Sequence, residues 1–401
     1  IDIQNNTPTN TADYGIQIRG SDTFAQSGKL QFINVKVAGD YRAAQLGIQR
    51  YSGLKSLSMT NVELGGQTDM GTDSVGWGSL YFSDIGTGDF SIGNTSFNGG
   101  VSPFYQHIIN DSAVNFDATG ATFDGIAAAS ATVSESFGIE DKVFHKLDDA
   151  SKGLVTWQNG NVFVTQQSGS IQRGVDASDV GGNVWVDAGT FEEEVNIDKD
   201  LSLIGSGKGV TTILSPDVLT NAFTTSATNK PIVFVHDADN VVIDGVTVVG
   251  AGKGNANYRF MGIGYYNAGG EIKNSEVKNI TDTPFSGNQH GNAIYGYVDN
   301  GGPYTLDVTD NMVSNFQKNG ITLSGAGLAG TISGNMIDGI GPTTITAQNG
   351  IQVSYGATAN IVNNTISNIG YTPSSWSASS ILIFDAGDNV LVDDNTINGT
   401  G

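Results

Sequence analysis

The side chains best suited to chemistry are concentrated between residues 258 and 299. Two segments, NYRFMGIGYYNAGG and TPFSGNQHGNAIYGYVDN, carry the aromatic and titratable members of this set: Tyr258, Arg259, Tyr265, Tyr266, His290, Tyr295, Tyr297 and Asp299. Sugar rings stack their C–H faces on aromatic side chains, and their hydroxyls bond to such polar neighbours. The set therefore indicates a saccharide-binding surface. A ladder of tyrosines that only stiffens a sheet is the structural alternative.

Catalysis at this surface is a third interpretation. His290, Arg259 and Asp299 are the candidate catalytic residues, because proton abstraction beside a carboxylate needs a base and a cation that holds the anion. Only 18 Lys and Arg residues occur, and they are spread along the chain without a basic cluster. A glycosidase would need two carboxylates across a groove, and no such pair is evident. We assign no catalytic residue and favour a protein without enzymatic activity, with a polysaccharide lyase as the enzymatic alternative.

Composition excludes several other classes of function. The chain has 401 residues, no cysteine and a formal net charge of −22, so thiolate metal sites and thiol nucleophiles are excluded. Nucleic acid is disfavoured as a partner, because phosphates require clusters of Lys and Arg. Membrane insertion is not expected, since no apolar run approaches the ~18 residues of a spanning helix. We expect no organic cofactor, while 40 acidic residues leave room for surface Ca²⁺.

An internal repeat organises the sequence. Near the C-terminus the phrases EIKNSEVKN, VTDNMVSNF, ISGNMIDGI, IVNNTISNI and LVDDNTING recur at steps of about 24–37 residues. Each phrase alternates apolar and polar residues, as a strand with one buried face does. Strands repeated in this way predict a parallel β-solenoid. One asparagine in each phrase would stack as a ladder inside a turn: Asn274, Asn311, Asn335, Asn364 and Asn395.

The repeats stop near residue 130 and resume near residue 183, which predicts three parts. Residues 1–135 are the later coils of a first solenoid, residues 136–165 are a connector, and residues 166–401 are a second solenoid. Such a joint is expected because the end of a solenoid exposes its core and an unpaired strand edge.

Local signals predict the elements of the joint. Ile139, Val143 and Leu147 at four-residue spacing indicate one helical face. Alternating runs around Asn159-Gly160 indicate a β-hairpin. Ser170 is expected to cap the N-terminus of a short helix at about 170–178, at the start of the second solenoid.

The repeats resemble the right-handed parallel β-helix superfamily, the pectin-lyase-like fold. The phrases NGITLSGAG, TISGNMIDGIG and SSILIFDAGDNVLVDDNTI carry the resemblance, which covers most of the chain. It implies an all-β fold of two right-handed parallel β-helical segments, as in large secreted or surface proteins of bacteria. Residues 184–213 resemble the first coil of pectin-methylesterase-like β-helices, but the acid/base and nucleophile Asp motifs of that family are not recognisable here. The resemblance leaves activity open, because the same coils serve lyases, esterases, epimerases, phage tailspikes and adhesins.

Two functions follow as expectations. The first is a structural or adhesive extracellular module of a bacterial surface, one unit of a longer array that associates with further copies of itself. Loops such as 281–291 and 371–380 would project from it, with Tyr371 and Trp376 available for ligand contacts. The alternative is a carbohydrate-active or polysaccharide-binding β-helix that uses the surface from Tyr258 to Asp299.

Overall fold

The protein is an all-β molecule built from parallel sheets. The computed structural model describes residues 2–5, 14–20, 28–39, 41, 43–65, 78–99 and 105–399. The chain divides into two compact units, Ile1–Ala177 and Ser178–Gly401. This division follows Ala177, whereas the sequence places the second solenoid from residue 166.

The first unit contains two sheets. Sheet A is parallel except at its hairpin of Thr122–Phe123 with Ile126–Ala127. Its strands are Asp2–Asn5, Gly28–Gly39, Leu54–Gly65, Asp89–Ser91, Thr95–Asn98, Phe116–Asp117, Thr122–Phe123, Ile126–Ala127 and Val155–Thr156. Sheet B is parallel, with strands Tyr14–Arg19, Ala44–Gln49, Gly78–Ser83, Gln106–Asp111 and Val143–Phe144. A further strand, Asn161–Val164, belongs to the same unit.

Two α-helices and a 3₁₀ turn over Ala128–Ser130 complete the first unit. Helix α1 spans Val133–Glu140, and Thr132 and Glu135 form a capping box at its N-terminus. The predicted helical face through Val143 is wrong, because Val143–Phe144 is a strand that pairs with sheet B. Helix α2 spans Ile171–Ala177, and the Ser170 hydroxyl accepts a hydrogen bond from the Arg173 amide at 3.1 Å.

The predicted hairpin around Asn159-Gly160 is also corrected. A turn is present, since the Asn161 amide donates to the Gln158 carbonyl at 3.2 Å. However, the strand before it, Val155–Thr156, pairs in parallel with Phe116–Asp117 and is part of sheet A. The alternating pattern identified a strand and a turn, but pairing with a strand about 40 residues earlier in the chain prevails over the local partner.

The second unit is a parallel β-helix whose chain visits three sheets in turn. Sheet C contains Gly182–Val186, Leu201–Gly205, Val241–Asp244, Gly270–Lys273, Tyr304–Thr309, Leu328–Ser333, Thr358–Val362 and Leu391–Asp393. Sheet D contains Gly189–Glu192, Thr211–Leu214, Thr247–Val249, Glu276–Ile280, Met312–Phe316, Met336–Thr343, Thr365–Tyr371 and Thr396–Asn398. Sheet E contains Val195–Ile197, Thr228–His236, Phe260–Tyr266, Asn292–Tyr297, Asn319–Ser324, Asn349–Ser354 and Ser379–Phe384. A 3₁₀ turn lies at Lys253–Ala256.

Alternation within the strands explains the core of the second unit. In sheet E, one inward-facing row aligns in register from coil to coil and is fully buried: Val233, Ile263, Ile294, Ile321 and Ile351. Side chains one residue away in each strand point to the opposite face, because strand side chains alternate with period two. The same register that stacks the core therefore stacks the outer side chains into rows.

The asparagine ladder lies at the turn from sheet C to sheet D. The side-chain amide of Asn335 donates to Asn364 Oδ1 at 2.9 Å, and that of Asn364 donates to Asn395 Oδ1 at 2.9 Å. Asn311 donates in the same way to Asn335 Oδ1 at 3.1 Å. Asn274 is not a member, because Ser275 occupies the buried position and its amide donates to Asn311 Oδ1 at 3.0 Å.

Asn274 instead occupies the exposed corner next to the ladder. Its φ of 48° is left-handed, and its side chain bonds to Asp244 at 3.0 Å. Asparagine tolerates this backbone region better than most residues, which explains why the repeat carries it there as well. In the first unit, Asn34, Asn61 and Asn94 take the same left-handed conformation.

Neither helix could cross a membrane. Within the part of the chain that the structure describes, no helix combines the length and the apolar character that a membrane span requires.

Candidate functional site

The outer face of sheet E carries a ladder of aromatic rings. Tyr266 and Tyr297 are in register on neighbouring strands, and their rings stack at 6.2 Å and 9°. Tyr295 faces outward on the same strand as Tyr297, with ring centroids 5.9 Å apart. The next residue of the Tyr266–Tyr297 row is Ser324. Ser324 has a small side chain and is 2% exposed, so the ladder of rings ends at Tyr297.

An insertion between sheets D and E forms the back of this surface. Phe223–Thr224 pairs in antiparallel fashion with Thr228–Asn229, and the turn between them carries Thr225 and Ser226. The ring of Phe223 stacks on Tyr266 at 4.8 Å and on Tyr295 at 6.3 Å. Packing against the tyrosines thus holds the insertion over the outer face of the sheet.

A cleft of about 600 Å³ opens beside the aromatic ladder. It is lined by Thr225, Ser226, Arg259, Tyr295, Tyr297, Val298, Asp299, Gly301, Ser324, Gly325, Ala326 and Tyr355. The sequence-predicted residues Arg259, Tyr295, Tyr297 and Asp299 therefore meet in one site. The volume and the mixture of aromatic and polar side chains fit a small-molecule or sugar site.

The insertion fixes the guanidinium of Arg259 on one wall of the cleft. Its Nη1 donates to Thr225 Oγ1 and its Nη2 donates to Ser226 Oγ, both at 2.9 Å. Its Nε is buried and has no hydrogen-bond partner. The backbone of Arg259 is left-handed, with φ of 59°. The Arg259 amide donates to Nδ1 of His290 at 2.9 Å, so the chain is held from both sides.

Asp299 is exposed at another part of the cleft lining. Its Oδ2 accepts a hydrogen bond from the Tyr266 hydroxyl at 3.1 Å, and its Oδ1 accepts one from the side-chain amide of Asn267 at 2.8 Å. Burial raises the pKa of Tyr295 to about 12. Burial, and then the negative charge of Asp299, also raise the pKa of Tyr297. Both phenols are therefore neutral at physiological pH and can donate as well as accept hydrogen bonds.

A second, smaller cleft of about 430 Å³ lies at the other end of the ladder, where Tyr266 and His236 line it. His236 Nδ1 is 2.7 Å from Asp237 Oδ2, and its Nε2 is 3.0 Å from Asn196 Oδ1. The His236 ring stacks on Phe234 at 4.6 Å. The row of rings therefore separates two polar clefts on one face of the sheet.

His290 has a structural position, which corrects its candidacy as a catalytic residue. It is 2% exposed, and because its Nδ1 accepts the Arg259 amide, its proton lies on Nε2. Nε2 then donates to Asp282 Oδ1 at 2.9 Å. Burial opposes ionisation of Asp282, but bonds from Ser286 and His290 outweigh it and lower the pKa of Asp282. A ring enclosed in this way cannot reach a substrate.

Two of the predicted tyrosines also lie outside the cleft. Tyr265 points into the core, is 1% exposed and donates its hydroxyl to the Val241 carbonyl at 3.0 Å. It cannot bind a ligand, so that prediction is wrong. Tyr258 is 55% exposed and packs on the His290 ring at 5.4 Å, and it does not line the cleft.

Tyr371 and Trp376 line a separate cleft of about 560 Å³. This cleft is also lined by Gln289, Lys318 and Ile345. Lys318 Nζ donates to the Ala347 carbonyl at 2.6 Å, and burial lowers the pKa of this lysine. The loops at 281–291 and 371–380 meet here, away from Arg259 and Asp299.

Metal ligands are not grouped in the described residues. Across those ranges, no three His, Asp or Glu side chains come together in a way that could hold a metal ion. The sequence-based expectation of surface Ca²⁺ stays a prediction.

Sequence reasoning missed Phe223, Thr225, Ser226, Ser324 and Tyr355. The first three lie in PDVLTNAFTTSATNKP, a polar stretch that interrupts the repeat and could have been recognised as an insertion. Ser324 contributes through its small size, and Tyr355 through a left-handed turn with φ of 52°. Neither has a sequence signal of its own.

The parallel sheets identify the fold class. The chain has an all-β, parallel β-helix fold. Two solved structures are similar to it: a pectin methylesterase in complex with a hexasaccharide, and a PL6 family alginate lyase. The esterase is 8% identical with a TM-score of 0.28, and the match covers 57% of this chain and 88% of that chain.

The alginate lyase is 10% identical with a TM-score of 0.28, and the match covers 90% of this chain and 71% of that chain. No family model matches the chain, and no curated protein matches it in sequence. Function must therefore be argued from the residues of the cleft, because a β-helix fold serves many activities.

Proposed function

We propose that the second unit binds a saccharide in the cleft beside Tyr295 and Tyr297 and does not catalyse its conversion. The observation that carries this proposal is the aromatic wall of the cleft: Tyr297 stacks on Tyr266, and the cleft is lined by Tyr295, Tyr297 and Tyr355. An aromatic wall beside hydrogen-bonding groups suits the C–H faces and hydroxyls of a pyranose.

Binding is favoured over catalysis by the state of the titratable groups. A general base works best with a pKa near the working pH, whereas the phenols of Tyr295 and Tyr297 have raised pKa values. His290 is buried away from the cleft. Among the described residues that line the cleft, Arg259 is the one cation, and each of its Nη atoms already donates a hydrogen bond to a hydroxyl group.

Two equally exposed tyrosines provide the test. Tyr355 lines the cleft and is 57% exposed, while Tyr258 lies outside it and is 55% exposed. For an oligosaccharide that the unsubstituted protein binds, we expect Tyr355→Ala to weaken the affinity by about 10-fold, because it removes roughly one stacking contact. Tyr258→Ala should leave affinity within about twofold. Equal effects of the two substitutions on affinity in isothermal titration calorimetry would contradict this site.

We propose an extracellular bacterial location for this function, as the sequence expectation has it. The abundance of Gly and Asn, the absence of cysteine and the net charge of −22 support a secreted acidic protein. Fractionation of the producing cells tests this proposal, and recovery in the cytoplasmic fraction would contradict it.

We propose self-association with further copies as a second candidate function, as the sequence expectation has it. The repeat supports it, because each coil of a solenoid stacks on a similar coil and copies can extend the same stack. We expect concentration-dependent association in analytical ultracentrifugation. A monomer at all concentrations would contradict this candidate.

A further inference from the structure

We infer that the cleft selects uncharged sugars and rejects sugars that carry a carboxylate. This inference rests on the proposed function and specifies its ligand class. It is argued from the charges around the cleft and from the hydrogen-bonding capacity of its walls.

The lining of the cleft has no excess of positive charge. Arg259 and Asp299 are its two charged residues, and they cancel. The two Nη atoms of Arg259 are already bonded to Thr225 and Ser226. Recognition of a carboxylate usually uses both outer nitrogens of an arginine in a paired contact. The insertion therefore uses two of the five N–H donors of Arg259, one on each Nη, and the Nε is buried, so fewer donors remain for an acidic sugar.

The edge of sheet E next to the cleft is acidic. The outward row His236, Tyr266, Tyr297, Ser324, Ser354 and Phe384 is in register along the sheet. Asp237 directly follows His236, and Asp385 directly follows Phe384. Asp299 lies two residues after Tyr297. All three carboxylates are exposed. A polyanion that lies along this edge would meet repulsion, within a molecule whose net charge is −22.

The remaining walls suit hydroxyl groups. Hydroxyls come from Thr225 and Ser226, and rings and phenols come from Tyr295, Tyr297 and Tyr355. Neutral phenols and hydroxyls both donate and accept, as the hydroxyls of a sugar do. A neutral pyranose can thus satisfy its polar groups and stack its C–H face without a charge partner.

Matched pairs of oligosaccharides test the inference. Each pair has the same linkage and ring stereochemistry and differs in whether C6 is a hydroxymethyl or a carboxylate: glucan and glucuronan, galactan and galacturonan, mannan and mannuronan. Affinity is measured on the full chain by isothermal titration calorimetry at about 20 mM and about 500 mM NaCl. We expect the neutral member of at least one pair to bind at least ~10-fold more tightly at low salt, and high salt to narrow the difference.

A charge variant sharpens the test. The ratio of the affinity for the neutral sugar to the affinity for its acidic partner should fall at least about threefold in Asp299→Asn. The reason is that this substitution removes the carboxylate of the cleft. Asp179→Asn is the control, since Asp179 is an exposed carboxylate before the first strand of sheet C and outside the cleft. It should leave the ratio unchanged.

The outcomes separate the inference from the proposal on which it rests. Tighter binding of an acidic member than of its neutral partner would overturn the charge selection and leave saccharide binding intact. Binding that Asp299→Asn and Asp179→Asn affect equally would also overturn the selection. Absence of binding by every pair would overturn the proposed function itself.

Discussion

The ring of Tyr297 lies parallel to that of Tyr266, with centroids 6.2 Å apart, and no ring follows it on the next coil. A parallel β-helix repeats each outer side chain at the spacing of its strands, ~4.8 Å. A run of aromatic residues therefore builds a continuous stack. The change from tyrosine to Ser324 ends the stack, and both residues line the cleft beside it.

A bulky side chain at the rim of the cleft should weaken saccharide binding without disturbing the core. Ala326 is exposed and lines the cleft, while Ala329 is exposed and lies outside it. We expect Ala326→Trp to weaken oligosaccharide binding at least ~10-fold, since the indole occupies the volume of a sugar ring. Ala329→Trp should bind normally, and both variants should melt within about 2 °C of the unsubstituted protein. Full affinity in Ala326→Trp would place the ligand elsewhere.

Loss of one ladder asparagine should be costly. The Asn335 side chain donates to the Val308 carbonyl at 2.8 Å, and its Oδ1 accepts the Asn311 amide at 3.0 Å. Asn335→Ala leaves these buried groups unpaired, so we expect the free energy of unfolding to fall by about 2–5 kcal/mol. Asn274→Gly, at the exposed left-handed corner, should change it by less than ~1 kcal/mol. Urea unfolding measures both, and similar losses would argue against a structural ladder.

Removing the His290 ring should affect stability and not chemistry. His290 receives the Arg259 amide and donates to Asp282, and both His290 and Asp282 are 2% exposed. We expect His290→Ala to lower the free energy of unfolding by about 2–4 kcal/mol, because it leaves a buried carboxylate without one of its donors. Unfolding in urea checks this value. Unchanged stability together with a lost activity would restore His290 as a catalytic candidate.

Asp148 should make the stability of the first unit depend on pH. Burial raises the pKa of Asp148 to about 7, although the backbone amide of His145 donates to its Oδ2 at 2.8 Å. The folded state therefore holds this proton more tightly than the unfolded state, whose carboxyl ionises at the ordinary value of 3.8. Stability is then highest below about pH 4 with respect to this group and falls as pH rises to about 7.

A substitution that cannot ionise isolates this contribution. Asp148→Asn keeps an oxygen that can accept the His145 amide, so it should stabilise the protein more at about pH 7.5 than at about pH 5. The difference is expected to be on the order of 1.4 kcal/mol for each pH unit between about pH 5 and about pH 7, where the folded-state pKa lies, and to stop growing above it. Urea unfolding at the two pH values measures it. A substitution effect that is independent of pH would mean that Asp148 is ionised without cost.

The sequence predicted the fold because the repeat is a local pattern. Alternating residues and left-handed corner asparagines are visible in each phrase, and their recurrence indicates stacked coils. Asn311, Asn335, Asn364 and Asn395 were assigned to the ladder correctly. Asn274 was misplaced by one residue, since both the corner and the ladder position favour small polar residues and only the backbone geometry distinguishes them.

The site was predicted in part, and strand alternation explains one of its errors. Arg259, Tyr295, Tyr297 and Asp299 meet in the cleft. For Tyr265 and Tyr266, adjacent in sequence, a strand must bury one and expose the other, and the sequence does not decide which. Tyr265 packs in the core in register with the buried Val235, whereas Tyr266 aligns with Tyr297 on the outside.

By itself, the sequence determined that this chain forms a parallel β-helix with aromatic residues concentrated near residues 258–299, because periodicity and composition are properties of short segments. Only the tertiary structure decided that Phe223 folds over the tyrosines and that Ser324 and Tyr355 complete the cleft. Those residues are more than 100 positions apart at the extremes. Their contact depends on the register of successive coils and on the path of an insertion, which no single segment encodes.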